Sequence, residues 1–415
     1  MKRAEILSWC LYDLASASYR AIIMTVVYPV YFVNMVVGNT DGSGDLWWGR
    51  VISMSMAIVA VTAPVIGAFA DYGGLRKRFL AASTLTSVIA IAALYVVKPG
   101  MVFYGVLLVV IANIGFETAM VFYNAYLSDI ADKPYHGRVS AWGFAAGYLG
   151  SLMSLGIAWP LVNAKALGPL WIATALFFLV FSLPAFIYLP ADKKTDNLSG
   201  SIYKHLRGLA NNFRELWQMS QLKKFMLAYF FYADGTNTVI AFSSIYAATT
   251  INIPNAQLIY LFLIVQVTAI VGAVVMAGPI DKWGGKKVIV ISLIHWSCIT
   301  ISAYFITTKP AFFLLCAAAG LGLGTIQAAS RTYFAGFIPH GRDSEFFGLY
   351  AMIGKTSAII GPLLFGALSA YFKNQRPAII AITLLFVVGL IFILMLKKQE
   401  HIPATKKSYP FKKAG

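Results

Sequence analysis

Charge is scarce in this 415-residue chain: Asp, Glu, Lys and Arg make up only 12 % of it, while hydrophobic residues make up 59 %. Soluble domains carry about twice that charged fraction, so a soluble globular fold is excluded. Cysteine is nearly absent. Cys10, Cys298 and Cys316 all lie in apolar stretches, which excludes a disulfide framework and a zinc cluster. The polar–apolar alternation over about 10 residues that marks an outer-membrane barrel is missing, since Phe79–Val97 and Ile379–Leu396 are continuously apolar. What the chain does have is a near end-to-end series of stretches matching the roughly 20 apolar residues that a spanning helix needs. It reads as an all-α, polytopic membrane protein. The charged Met1–Glu5 segment is followed by an apolar run without a small-residue cleavage site, which reads as a retained first helix.

Punctuation by Gly, Pro and charge divides the apolar runs into twelve spans. Six run Ile6–Val37, Trp47–Ala70, Phe79–Val97, Met101–Asn124, Val139–Val162 and Gly168–Leu189. Six more run Lys223–Thr250, Ala256–Ile280, Val288–Thr307, Ala311–Phe334, Ser344–Tyr371 and Pro377–Leu396. The domains expected are a six-helix bundle over 1–190, a linker over 191–222, a second bundle over 223–396 and a basic tail over 397–415. The linker segment Ile202–Met219 is amphipathic in pattern, with Lys204, Arg207 and Arg214 able to lie on headgroups. Basic residues flanking spans stay in the cytoplasm. Of the 33 Lys and Arg, 24 fall in segments on the side of the amino terminus, five in the alternate loops and four within spans. Both termini and the linker are therefore expected in the cytoplasm, with Gly42 and Pro254 outside, in a plasma or inner membrane. The net charge of +17 is mostly this bias, and nucleic-acid binding is not called for.

Two motifs recur at matching places. Gly67-Ala-Phe-Ala-Asp71-Tyr-Gly-Gly74-Leu-Arg76-Lys77-Arg78 follows span two, and Gly278-Pro-Ile-Asp281-Lys-Trp-Gly-Gly285-Lys286-Lys287 follows span eight, 210 residues on. His136-Gly137-Arg138 follows span four, and His340-Gly341-Arg342 follows span ten, 204 residues on. Near-equal offsets indicate parallel repeats. The Gly-x-x-x-Asp…Gly…basic loop and its echo resemble the signature loop of the major facilitator superfamily. Trp9-Cys-Leu-Tyr12-Asp13-Leu-Ala15, Val26-Val-Tyr-Pro29-Val-Tyr-Phe32, Gln327-Ala-Ala-Ser330-Arg331, Glu345-Phe-Phe-Gly348, Gly354-Lys355 and Gly361-Pro-Leu-Leu-Phe-Gly366 resemble its vacuole-effluxer-like family. The resemblance implies two pseudo-symmetric six-helix bundles, and an inner gate at the repeated loops. The gate residues are Asp71, Arg76, Lys77, Asp129, Arg138, Asp281, Lys286 and Arg342. There Asp71 would cap the eleventh helix and Asp281 would act likewise on the fifth. Fungal members export amino acids from the vacuole. This chain departs from the family in having Leu14 and Ser16 in the usual Asp-Trp-Ala-Asn motif, and Arg20 in addition.

Six ionisable residues lie deep within spans: Asp13, Arg20, Glu117, Asp234, Arg331 and Lys355. Each costs about 2.5–3.5 kcal/mol at a helix centre on insertion scales, so they are expected to face a polar interior or one another. Helical spacing groups them with neutral polar residues on four spans. Asp13, Ser16 and Arg20 share a face of the first, and Asn113, Glu117 and Asn124 one of the fourth. Asp234, Asn237 and Thr238 share a face of the seventh, and Gln327 and Arg331 one of the tenth. Those four helices line the central cavity in the superfamily that the chain resembles. The substrate-binding set is therefore Arg20, Lys355, Asp13, Glu117, Asn113, Asn237, Gln327 and Arg331. Arg20 and Lys355 suit an anionic group, and Asp234, the acid expected to lie farthest from a base, suits proton coupling. More ordinary readings compete: Arg331 can snorkel, buried acids can simply fix packing, and His295 and Gly143, Gly147 and Gly150 suit helix contacts. Gly348–Thr356 is no phosphate loop, because five residues rather than four separate its glycines.

The function expected is secondary transport of a small polar or zwitterionic, amino-acid-like solute by a monomer, by alternating access, driven by its own gradient or by protons. The alternatives are a siderophore, peptide or drug-like substrate, or a transporter-fold receptor that binds without translocating. An enzyme is not expected, since no nucleophile–base pair or metal spacing occurs in the spans; neither a cofactor nor a metal is called for.

Overall fold

A computed structural model describes residues 3–73, 75–131, 135–192, 214, 217–338 and 343–397. All regular elements among them are helices. The first six are α1 (Arg3–Val37), α2 (Ser43–Gly73), α3 (Arg76–Ala93), α4 (Val102–Ala125), α5 (His136–Asn163) and α6 (Leu167–Tyr188). The second six are α7 (Ser220–Thr249), α8 (Asn255–Trp283), α9 (Gly285–Phe305), α10 (Lys309–Ala335), the interrupted α11a (Asp343–Thr356) and α11b (Ile360–Phe372), and α12 (Gln375–Leu394). Eleven spans among the described residues are long and apolar enough to cross a bilayer. The seventh, α7, is long enough at 30 residues, but Lys223, Lys224, Asp234 and Asn237 dilute its apolar character. Most of the linker, including most of the amphipathic segment, and the tail beyond Lys397 lie outside the described residues.

The packing repeats as the motifs do. In the first half α1 packs on α5 and α6, α4 on α2 and α3, and α3 on α6; in the second, α7 packs on α11 and α12, α10 on α8 and α9, and α9 on α12. Between the halves the symmetry is broken: α2 runs closely along α11b, whereas the equivalent pair, α8 and α5, meets much less. One end of the molecule, that of the Gly42 loop, is therefore closed.

Proline and glycine produce this geometry. Within α1, Pro29 has no N–H to give to the carbonyl of Thr25, and the helix widens to a π-helical stretch over Tyr19–Val26. The Thr25 carbonyl instead accepts from Ser244 Oγ of α7, which ties the halves together. Small residues then bring backbones close. A Cβ on Gly150 would lie 2.1 Å from Leu14 O, and one on Gly143 would lie 2.5 Å from the Trp9 ring, so the glycine row of α5 seats α1. His295 likewise serves a helix contact, its Nε2 2.9 Å from Ala318 O.

A paired substitution tests the glycine account. Gly150→Ala should destabilise the protein by about 1–3 kcal/mol through overpacking, whereas Gly156→Ala, in the same helix with open space at its Cβ position, should not. Thermal unfolding of both variants in detergent distinguishes the two.

Candidate functional site

A cavity of roughly 250 Å³ lies between the halves. Its walls come from α1 (Arg20, Met24, Thr25), α2 (Ile52, Met56), α4 (Asn113, Phe116, Glu117), α7 (Asn237, Ile240, Ala241), the α11 break (Ala358) and the start of α11b (Pro362). Toward the Gly42 end it is sealed by the α2–α11b contact, where Ser53 Oγ donates to Ile359 O at 2.6 Å.

Two cations at the cavity, Arg20 and Lys355, are each met by an acid. Arg20 stands at the start of the π-helical stretch, one of the helix irregularities that collect at functional sites. Its Nη2 donates to Asp13 Oδ1 at 2.9 Å, and its guanidinium lies 5.8 Å from the centre of the Phe116 ring. Asp13 is buried and holds Ser16 Oγ at 3.3 Å, against Gly147, where a Cβ would sit 2.9 Å from Asp13 Oδ2. Lys355, two residues before the α11 interruption, reaches across to the first half: Nζ is 2.8 Å from Glu117 Oε2 and 3.3 Å from the Glu117 carbonyl. This ion pair joins the two halves at the cavity. Two cations and two carboxylates sum to zero.

The amides play different parts. Asn113 is buried, donates to Ser55 Oγ at 2.7 Å and accepts from Tyr19 OH at 3.2 Å, so it ties α4 to α1 and α2 at the cavity wall. Asn237 Nδ2 points at the α11 interruption, 3.5 Å from Gly354 O and 3.4 Å from Ser357 Oγ. One turn away, Asp234 is fully buried, 0 % exposed. Its Oδ2 accepts from Gly361 N at 2.8 Å, in the first turn of α11b, a favourable place for a carboxylate beside exposed N–H groups. A Cβ on Gly361 would lie 2.1 Å from Thr238 Oγ1, so only glycine admits this approach. Asp234 Oδ1 is buried without a hydrogen-bond partner, and no basic side chain among the described residues forms an ion pair with Asp234.

The structure brings Arg20, Asp13, Glu117, Lys355, Asn113 and Asn237 together at or beside the cavity, and Asp234 just behind it. It does not bring Gln327 or Arg331: α10 contributes nothing to this wall, both residues are exposed, and the Arg331 guanidinium lies 5.6 Å from the centre of the Phe347 ring. Sequence reasoning missed α2 and the apolar wall of Met24, Ile52, Met56, Phe116 and Ile240. Among the gate residues, Arg76 pairs with Asp129. Lys77 Nζ donates to the carbonyls of Ile187 and Leu189 at 3.0 and 2.7 Å, and Lys286 Nζ to that of Leu396 at 2.5 Å. Arg138 lies 4.9 Å from the centre of the Trp142 ring, and Asp281 is exposed. The Arg76–Asp129 pair and these Lys77 and Lys286 bonds lie within one half. The Asp71 side chain and the whole of Arg342 lie outside the described residues.

This arrangement of helices is shared with solute transporters of known structure. The nucleoside transporter NupG aligns with a TM-score of 0.73 at 14 % identity, over 95 % of this chain and 100 % of that one. A D-xylose–proton symporter gives 0.71 at 14 %, over 95 % and 98 %. A bacterial homologue of the human lysosomal transporter Spinster, in an inward-facing and unoccupied conformation, gives 0.69 at 13 %, over 95 % and 96 %. The fold is that of the major facilitator transporters. Within that class, residues 50–136 and 132–405 match the family described as Vacuole effluxer Atg22 like, and the chain belongs to it. It is 27 % identical over 413 residues, 96 % of each chain, to the uncharacterized MFS-type transporter YxiO of Bacillus subtilis (strain 168). It is 25 % identical over 285 residues to autophagy-related protein 22 of Kluyveromyces lactis, covering 63 % of this chain and 58 % of that one. The protein is a multi-pass membrane transporter, not an enzyme.

The Glu117–Lys355 contact can be weighed by a double-mutant cycle. Glu117→Gln, Lys355→Met and the pair should give a coupling energy of about 1–2 kcal/mol in thermal unfolding, in the range for contacting charged residues. A coupling indistinguishable from zero would mean that the two side chains do not meet in the membrane.

Proposed function

We propose that this chain moves a small polar or zwitterionic, amino-acid-like organic solute by alternating access, as a monomer, with proton coupling at Asp234. The observation that carries this reading is the pairing at the cavity: one acid–base pair within the first half, one spanning both halves, and no net charge left over. A zwitterion can insert between such pairs and leave the charge balance intact. Its anionic group takes Arg20 or Lys355, its ammonium takes Asp13 or Glu117, and Asn237 adds an amide. Met24, Met56, Phe116 and Ile240 accept the apolar remainder. A cavity of roughly 250 Å³ lies below the roughly 300–1,000 Å³ of drug-sized sites, which favours a small solute over a siderophore or a drug. Asp234 suits proton carriage because its burial and lack of a basic partner make an unshared negative charge costly.

Basic residues gather on the side of the termini, which supports cytoplasmic termini in a plasma or inner membrane, with the Gly42 loop outside. On that reading the closed end is the outer one, and the inner gate comprises Asp71, Arg76, Lys77, Asp129, Arg138, Asp281, Lys286 and Arg342.

Counterflow in proteoliposomes tests the reading. Internal unlabelled amino acids should drive transient uptake of the same labelled amino acid; specific binding without counterflow would instead identify a receptor. Asp234→Asn should abolish uptake driven by a pH gradient while sparing exchange, and Lys355→Ala should weaken substrate binding itself. Normal proton-driven uptake by Asp234→Asn would remove the carrier role. Asp71→Asn should shift the population toward the cytoplasm-facing state by about 1–3 kcal/mol, the scale of a lost charge-assisted bond, measured by cysteine accessibility on the cytoplasmic side.

A further inference from the structure

Away from the cavity, at the closed end, one acid has no role in the site described above. Asp45 lies in the first turn of α2 and is fully buried, 0 % exposed. Among the described residues it has no basic partner within ion-pair distance. Its carboxylate is held by neutral groups: Asn39 of its own half beside it, and two donors from the other half. Ser369 Oγ, near the end of α11b, donates to Oδ2 at 2.5 Å. Gln375 Nε2, at the start of α12, donates to both oxygens at 2.9 Å. Behind Gln375 stands Thr250, whose Oγ1 donates to Gln375 Oε1 at 2.6 Å.

That last bond sets the direction of the whole chain of donors. By engaging the amide oxygen, Thr250 turns the amide NH₂ toward Asp45, so Gln375 and Ser369 aim their donors at one acceptor while Thr250 holds Gln375 in place. These donors favour the ionised carboxylate, because bonds to a charged acceptor are the stronger ones, and they act against the burial that disfavours it. The backbone permits the approach: a Cβ on Gly366 would lie 2.5 Å from Asp45 O, one on Gly42 2.5 Å from Ser369 O, and one on Gly49 2.3 Å from Pro362 O. Each of these contacts also crosses from one half to the other.

We propose that Asp45 is an anionic latch that holds this end of the carrier shut, with Ser369 and Gln375 as its catch and Thr250 orienting the catch. The proposal rests on the alternating-access reading above, in which the halves part at this end once per cycle. When they part, water replaces the protein donors around Asp45, so the latch reopens without leaving a dry, uncompensated charge. Removing the catch while keeping the acid leaves a buried charge short of donors, and the closed state is then penalised. Replacing acid and catch together with apolar groups removes the penalty.

The test uses a chain in which Cys10, Cys298 and Cys316 are replaced by alanine and Ile240→Cys reports from the cavity wall. The protein is reconstituted in one orientation and exposed to a membrane-impermeant methanethiosulfonate from either side. In this parent the reporter should react from the side opposite Asp45 and scarcely from the Asp45 side. Ser369→Ala with Gln375→Leu should raise reactivity from the Asp45 side at least tenfold. Asp45→Asn, a milder change that keeps one carbonyl acceptor, should raise it by less, and Asp45→Leu with Ser369→Ala and Gln375→Leu should return it toward the parent. Folding is checked by monodispersity in detergent, and Asp45→Asn decides the question if the double variant fails that check. Unchanged labelling from the Asp45 side in a folded variant overturns the latch. A reporter unreactive from either side in the parent instead overturns the alternating-access reading on which it rests.

Discussion

A charged group withdrawn from both water and lipid must be met by the protein itself, and the acids of this chain are met in three different ways. Asp13 and Glu117 are answered by cations, Arg20 and Lys355, at 2.9 and 2.8 Å. Asp45 is answered by a hydroxyl and an amide. Asp234 is answered on one oxygen by the backbone N–H of Gly361 and on the other by no hydrogen bond among the described residues. These differences divide the labour. Acid–base pairs can be opened by a ligand carrying the same charges; a carboxylate on neutral donors can be released into water; an acid with an idle oxygen has room for a proton.

The interrupted α11 connects these sites. Lys355 precedes the interruption, Asp234 caps the segment that follows it, and Asn237 and Ser53 hold its flanks from opposite halves. Pro362 sits in the first turn of α11b, where its missing N–H costs no helical bond. A short non-helical stretch thus carries contacts to both halves, as irregular backbone does where it lines a cavity in a membrane protein.

Much of this was legible in the residues. Runs of about twenty apolar residues and two repeated loops sufficed for the helix number and the six-and-six division, because lipid leaves the backbone no alternative to helix. The polar stripes of α1, α4 and α7 pointed inward for the same reason. The stripe of α10 was read as equivalent, yet its residues stand outside this cavity, since a stripe on one helix does not reveal which partner that helix faces in the conformation adopted. Asp45 escaped notice because Gly42, Gly44 and Asp45 look like loop punctuation ahead of a span starting at Trp47, whereas α2 already begins at Ser43. Its donors lie more than 300 residues away, and nothing local announces them. The apolar cavity wall was invisible as well: Met24, Ile52 and Ile240 have the same chemistry as the residues that face lipid.

The glycine contacts between α2 and α11b lie away from the charges of the cavity. A single methyl group at Gly49 or Gly366 therefore acts on the balance between shapes while leaving the ligand chemistry intact. Substrate preference and resting posture sit on separate parts of the sequence, so relatives with one chemistry can differ in the side of the membrane on which they wait.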